Sequence, residues 1–155
     1  MLLMPLGERH QDERGVIQDL LTEGLDSATL IGTKKGAVRG NHYHRHTTQW
    51  VYVVIGALRV LTRDPASRRV RETIVGDGKL MMNPPLEEHA WQALEETVVL
   101  VLTRGPRSGP DYESDTYRLE VPLTKEWRDE QLAKEYVRDP DAFNDPAGSL
   151  RPPRR

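Results

Sequence analysis

His42 and His44 alternate within the run Gly36 to Gly56, G-A-V-R-G-N-H-Y-H-R-H-T-T-Q-W-V-Y-V-V-I-G. On an extended strand both imidazoles leave the same face. Gln49 follows five residues after His44, and a third histidine, His89, stands downstream in N-P-P-L-E-E-H. Three imidazoles and one side-chain oxygen form a donor set suited to a divalent transition metal: zinc, iron, nickel or manganese. The pattern points to a metal-binding β-barrel. His46 is a further imidazole, expected at the turn before Gln49.

Composition narrows the remaining chemistry. The chain has 155 residues, which suits one domain with a substantial core. Net charge is −2 with 30% charged residues, so the overall balance draws the chain toward neither nucleic acid nor membrane. Cysteine is absent, which excludes disulfides, thiolate zinc sites and a cysteine nucleophile. Apolar runs fall short of a membrane span, and the opening M-L-L-M-P-L-G lacks a secretory signal's form. A soluble cytoplasmic protein is expected.

The elements that must position these residues read as an all-β arrangement. Strands are expected at Val16–Leu21, Ala28–Thr33, Val38–His44, Gln49–Thr62, Val70–Val75, Lys79–Met82, His89–Leu94, Val98–Thr103 and Tyr117–Val121. Turn residues separate them in K-K-G, R-D-P-A-S, G-D-G, N-P-P and R-G-P-R-S-G-P. Val98 to Leu102 is apolar on both faces, as befits a strand inside a two-sheet packing. Gly56 interrupts the long strand where a bend would carry it from one sheet to the other. After Val121 the pattern becomes helical, with Trp127, Leu132, Ala133 and Tyr136 among charges and Thr124 as the expected cap. The organisation is an N-terminal arm over 1–14, a barrel over 15–123, a helix over 124–138 and a loose tail over 139–155.

Gly36-x5-His42-x-His44-x4-Gln49-x6-Gly56 resembles the first motif of the cupins, with glutamine where a glutamate is usual. Gly78-x5-Pro84-x-Leu86-x2-His89 resembles the second, with Leu86 in place of the usual glycine and Ala93 in place of a later asparagine. The resemblance implies a small double-stranded β-helix, or jelly-roll, barrel with a short C-terminal helix. It also implies His42, His44, Gln49 and His89 as ligands of one metal. A glutamine supplies only a neutral oxygen, so affinity should fall and the metal should become more electrophilic.

A finer likeness concerns sugar-nucleotide enzymes. Asp12-Glu13-Arg14-Gly15, Arg39-Gly40-Asn41-His42-Tyr43-His44 and Asp115-Thr116-Tyr117-Arg118-Leu119 together resemble the cupin portion of bifunctional capsule-sugar enzymes. The set is more distantly similar to dTDP-4-keto-6-deoxyhexose 3,5-epimerases and 3,4-ketoisomerases. Such enzymes remove a proton next to a ketone. In the metal-free 3,5-epimerases the histidine matching His42 is the base, yet a metal-bound nitrogen has no lone pair left for a proton. With His42 as ligand, the candidate bases are Tyr52, Glu88 and Tyr117. Arg39 is the candidate for meeting a diphosphate.

Three functions remain open at this stage: a nucleotide-sugar epimerase or isomerase, an iron-dependent dioxygenase on a small molecule, and a non-catalytic sugar- or small-molecule-binding cupin. The expected partner is a nucleotide sugar. Relatives usually dimerise, so a homodimer is expected, with Met1–His10 able to cross to a neighbour.

Overall fold

A computed structural model describes residues 1–64, 66–106, 111 and 113–138, with side chains described as far as Gln131. The expected tail over 139–155, and the side chains of Leu132, Ala133 and Tyr136, lie outside the described residues. The strands are β1 (Leu2–Met4), β2 (Arg9–Asp12), β3 (Gly15–Gln18), β4 (Ser27–Thr33), β5 (Val38–Tyr43) and β6 (Thr48–Ile55). They continue with β7 (Ala57–Arg63), β8 (Val70–Gly76), β9 (Leu80–Asn83), β10 (His89–Ala93), β11 (Thr97–Arg104) and β12 (Tyr117–Arg118). One helix, α1, follows at Leu123–Arg138.

Two five-stranded antiparallel sheets face each other, in the orders β1-β9-β6-β11-β4 and β12-β5-β10-β7-β8, and β2-β3 form a separate ribbon. The strand expected over Gln49–Thr62 is two strands in different sheets, broken at Gly56. Gly56 has φ 94°, and a Cβ there would sit 2.6 Å from Thr97 Oγ1 and 2.7 Å from the Glu96 carbonyl. Only glycine satisfies both conditions.

The core lies between the sheets: Val51, Val53, Leu58, Val60, Val75, Met81, Trp91, Ala93, Val99 and Val101 pack as one cluster. Alternation along β6 sends Gln49, Val51 and Val53 inward and turns Trp50 and Tyr52 outward. There they meet Leu80 and Leu102, partly covered by Met4, Leu6 and Leu21. This second cluster explains why β11 is apolar on both faces.

The first residues are not a detached arm, because β1 pairs with β9 of the same chain, Leu3 opposite Met81. The expected boundary at 14/15 falls inside the β2–β3 turn, where Asp12 pairs with Gly15. At α1 the expected cap is displaced. Helix starts at Leu123, and the Pro122 carbonyl accepts from Lys125 N at 3.0 Å and Glu126 N at 3.2 Å, so Thr124 lies inside the helix. Proline needs no N–H before the first turn and suits that position. Leu123 is wholly buried against Leu61, Val70 and Ala90, with Trp127 packed beside them. The helix therefore covers the outside of the second sheet, the face opposite the inward-facing histidines. Among the described residues no helix is long and apolar enough to cross a membrane.

Candidate metal centre

β5 and β10 carry His42 and His89, His44 follows directly after β5, and an irregularity between the two strands sets the site. His89 pairs with His42, Ala90 with Gly40 and Trp91 with Arg39, so Asn41 has no counterpart on β10. Asn41 sits at φ 57° and Gly40 at φ 87°, both in the left-handed region. A Cβ on Gly40 would come within 2.8 Å of the His89 carbonyl, so the bulge also lets the strands approach closely. Adding one residue reverses the alternation. Arg39 and His42 thereby share the inner face, opposite Trp91 and His89.

The three histidines converge. One ring nitrogen from each of His42, His44 and His89 lies within 4.8 Å of the others. Ring centroids are 4.7 Å apart for His42 and His44, 4.8 Å for His42 and His89 and 5.5 Å for His44 and His89. His44 and His89 are almost fully buried. His44 Nδ1 lies 2.7 Å from the Asp115 carbonyl and His89 Nδ1 lies 3.0 Å from the Glu87 carbonyl. A carbonyl only accepts, so each Nδ1 carries the proton and each Nε2 carries the lone pair. Backbone acceptors of this kind hold metal-binding imidazoles in place. The donor set fits a divalent transition metal.

Asp115 supports the same corner. Its buried carboxylate accepts from the backbone N–H of Arg45 at 2.9 Å, His46 at 3.0 Å and Thr47 at 2.8 Å, and from the Thr47 hydroxyl at 2.7 Å. Burial pushes its pKa up, but the Thr47 hydroxyl and the three amides outweigh that and hold it below the usual carboxylate range.

A cavity of about 170 Å³ opens onto two of the three histidines, lined by Arg39, His42, Gln49, His89, Trp91, Glu113, Thr116 and Arg118 among others. Gln49 is buried there, its Oε1 3.5 Å from Asn83 Nδ2. Arg39 donates from Nε to Thr33 Oγ1 at 2.9 Å and from Nη2 to the Gly32 carbonyl at 3.0 Å, which fixes its guanidinium at the wall. Arg118 and Glu113 form a two-pronged pair at the mouth, 2.7 and 3.1 Å.

The structure does not bring the three candidate bases here. Tyr52 lies on the outer face of β6, in the Trp50–Leu80–Leu102 cluster. Glu88 binds Arg63 at 2.5 Å and Arg68 at 3.1 Å. Tyr117 pairs with Tyr43 across β12 and β5, and their rings stack at 5.2 Å with the Arg45 guanidinium 4.2 Å from the Tyr117 centroid. His46 is exposed, and its backbone N–H is bonded to the Asp115 carboxylate. Asp115, Thr116 and Arg118, known from the sequence only as part of a motif, are brought to the site by contacts distant in sequence, Asp115 through His44 and Arg118 through the pairing of β12 with β5.

Residues 18–108 match the cupin family. The chain belongs to the cupins. A search of curated proteins by sequence finds no match. Among solved structures, this cupin is similar to the sugar 3,4-ketoisomerase QdtA of Thermoanaerobacterium thermosaccharolyticum in complex with TDP. The identity is 19%, covering 77% of this chain and 88% of that one, with TM-score 0.63. The dTDP-4-dehydrorhamnose 3,5-epimerase of Sulfolobus tokodaii is 17% identical over 74% of this chain and 79% of its own, TM-score 0.58. The capsular polysaccharide assembling protein CapF of Staphylococcus aureus is 26% identical over 76% of this cupin, TM-score 0.53. The cupin spans only 33% of CapF's length.

Proposed function

We propose that this cupin binds one divalent transition metal through His42, His44 and His89, with Gln49 beside them. On this reading it epimerises or isomerises a nucleotide-linked 4-keto-6-deoxy sugar. The convergence of three imidazoles within 4.8 Å, His44 and His89 buried with Nδ1 committed to carbonyls and His42 half-buried, carries the proposal. A metal held there would polarise a ketone and stabilise negative charge developing beside it. The resemblance to sugar-nucleotide epimerases and ketoisomerases supports the substrate class.

The chain's own residues supply binding and orientation. Arg39, tethered by Thr33 and Gly32, presents a fixed guanidinium beside the histidines, suited to a phosphate oxygen. The cavity, about 170 Å³, is smaller than the roughly 300–1,000 Å³ that encloses a drug-sized ligand. The sugar's reacting end would enter, and the nucleotide would lie across the mouth near Arg118.

A second reading, a barrel that binds the nucleotide sugar without turnover, is favoured by one observation. Tyr52, Glu88 and Tyr117 all lie outside the residues lining the cavity. One experiment separates the two. The metal-loaded protein is incubated in D2O with a dTDP- or UDP-linked 4-keto-6-deoxy sugar, and deuterium uptake is followed beside nucleotide binding. Uptake that disappears in His42→Ala supports the enzyme, binding without uptake supports the second reading, and neither result leaves both without support.

A further inference from the structure

We propose that Asp115 is the positioning residue of the metal centre, holding His44 in the Nδ1–H tautomer through its carbonyl and holding the backbone beside His44 through its carboxylate. The inference rests on the reading of His42, His44 and His89 as metal ligands.

Two contacts of one residue converge on one ligand. The Asp115 carbonyl accepts from His44 Nδ1 at 2.7 Å, which leaves Nε2 as the lone-pair nitrogen. Its carboxylate accepts all three successive amides of Arg45, His46 and Thr47 and the Thr47 hydroxyl. The turn that begins one residue after His44 is thus wrapped around the group that fixes the His44 ring. Other contacts close the remaining sides. The His44 carbonyl accepts from Leu86 N at 2.6 Å, and Gly105 packs so tightly that a Cβ there would lie 2.7 Å from Thr47 Cα. Asp115 and His44 are 1% and 2% exposed, so water cannot readily replace the bonds.

The chemistry explains why aspartate is needed. The backbone amides and the hydroxyl present four donors, and a carboxylate is a short side chain with acceptors on both oxygens. Asparagine has the same shape but turns an NH2 toward donors, so one oxygen's contacts become donor against donor. The backbone carbonyl of residue 115 survives that change. Only its registration against His44 is lost.

The test uses the full-length protein in metal-free form and with zinc. Nitrogen-15 NMR of the imidazoles should show His44 of the wild type protonated at Nδ1, with slow exchange, and Asp115→Asn should show mixed tautomers. Zinc titration against a chromogenic chelator should give Asp115→Asn an affinity about 10–100-fold weaker, the range for loss of an outer partner of a metal ligand. Val75→Ala, a core truncation on β8, controls for stability and should bind zinc as the wild type does. Should Asp115→Asn fail to fold, Thr47→Val removes one donor and should weaken zinc binding to a smaller degree.

Unchanged tautomer and affinity in Asp115→Asn, or in Thr47→Val where it stands in, would overturn the positioning role while leaving the metal site intact. Equal losses in Val75→Ala would overturn it too, because affinity would then follow global stability. Absence of zinc binding by the wild type would overturn both this role and the metal reading.

Discussion

Arg39 and His42 stand three residues apart on β5 yet face the same side of the sheet, because Asn41 is an extra residue that β10 does not match. Asn41 Oδ1 is buried and accepts no hydrogen bond among the described residues, so its left-handed backbone is what the site uses. Asn41→Gly should therefore preserve fold and zinc binding. Asn41→Val should cost about 1–2 kcal/mol, the penalty for a left-handed L-residue, and more for branching at Cβ. Denaturant midpoints and zinc titration of the two variants check this, and equal stability would mean that the bulge does not depend on residue 41.

Leu86 offers the opposite change. It has φ 67° and is 66% exposed, at the position where a glycine is usual in the resembled motif. The side chain gains little burial there and forces a strained backbone. Leu86→Gly should raise stability by about 0.5–1 kcal/mol, the relief being partly offset by the greater freedom of glycine when unfolded. A rise in Tm of the metal-free protein would show it, and a fall would mean that Leu86 packs in a way its exposure conceals.

Acid should loosen α1 from the barrel. The Arg63 guanidinium reaches Glu126 through two nitrogens, at 2.7 and 2.9 Å, and Glu88 at 2.5 Å. The hydrogen bond from Arg63 holds the Glu126 carboxyl below its usual range, outweighing the rise from burial. A depressed carboxyl contributes stability that is complete above its unfolded value, about 4.3, and is lost as pH falls through the folded value. Helix docking should thus be constant from neutral pH to about 5.5 and weaken below about 4. Trp127 fluorescence during acid titration reads it, and Glu126→Gln should remove part of that acid limb.

Much of the barrel was legible because alternation and turn chemistry agree along most of its length. β4, β5, β8, β10 and β11 fall within a residue or two of where their apolar patterns place them. β1 and β2 were not legible, since L-L-M is too short to alternate and R-H-Q-D is polar throughout. Alternation also carries information about the candidate bases. It places Glu88 opposite His89, and Tyr52 opposite Gln49, and β6 keeps a regular register with β9 between residues 49 and 52. The same rule would misplace Arg39, because the bulge at Asn41 reverses it. Asp115 stood in a motif of the resemblance, but its role was not legible: its partners come from a turn 68 to 71 residues earlier, and no local pattern announces such a contact.

Gln49 provides the last test, because its replacement by the carboxylate usual in the resembled motif should move two quantities in opposite directions. The side chain is 2% exposed, so Gln49→Glu places an ionisable group where solvation is poor. The metal-free protein should lose stability. The loaded protein should gain affinity, since an anionic oxygen replaces a neutral one beside a divalent cation, and the rise in Tm on adding zinc should grow accordingly. Lower metal-free Tm together with a larger zinc shift would put position 49 within reach of the metal. A lower Tm with an unchanged shift would mean that Gln49 serves the cavity wall with Asn83, leaving the three histidines as the whole protein contribution to the metal.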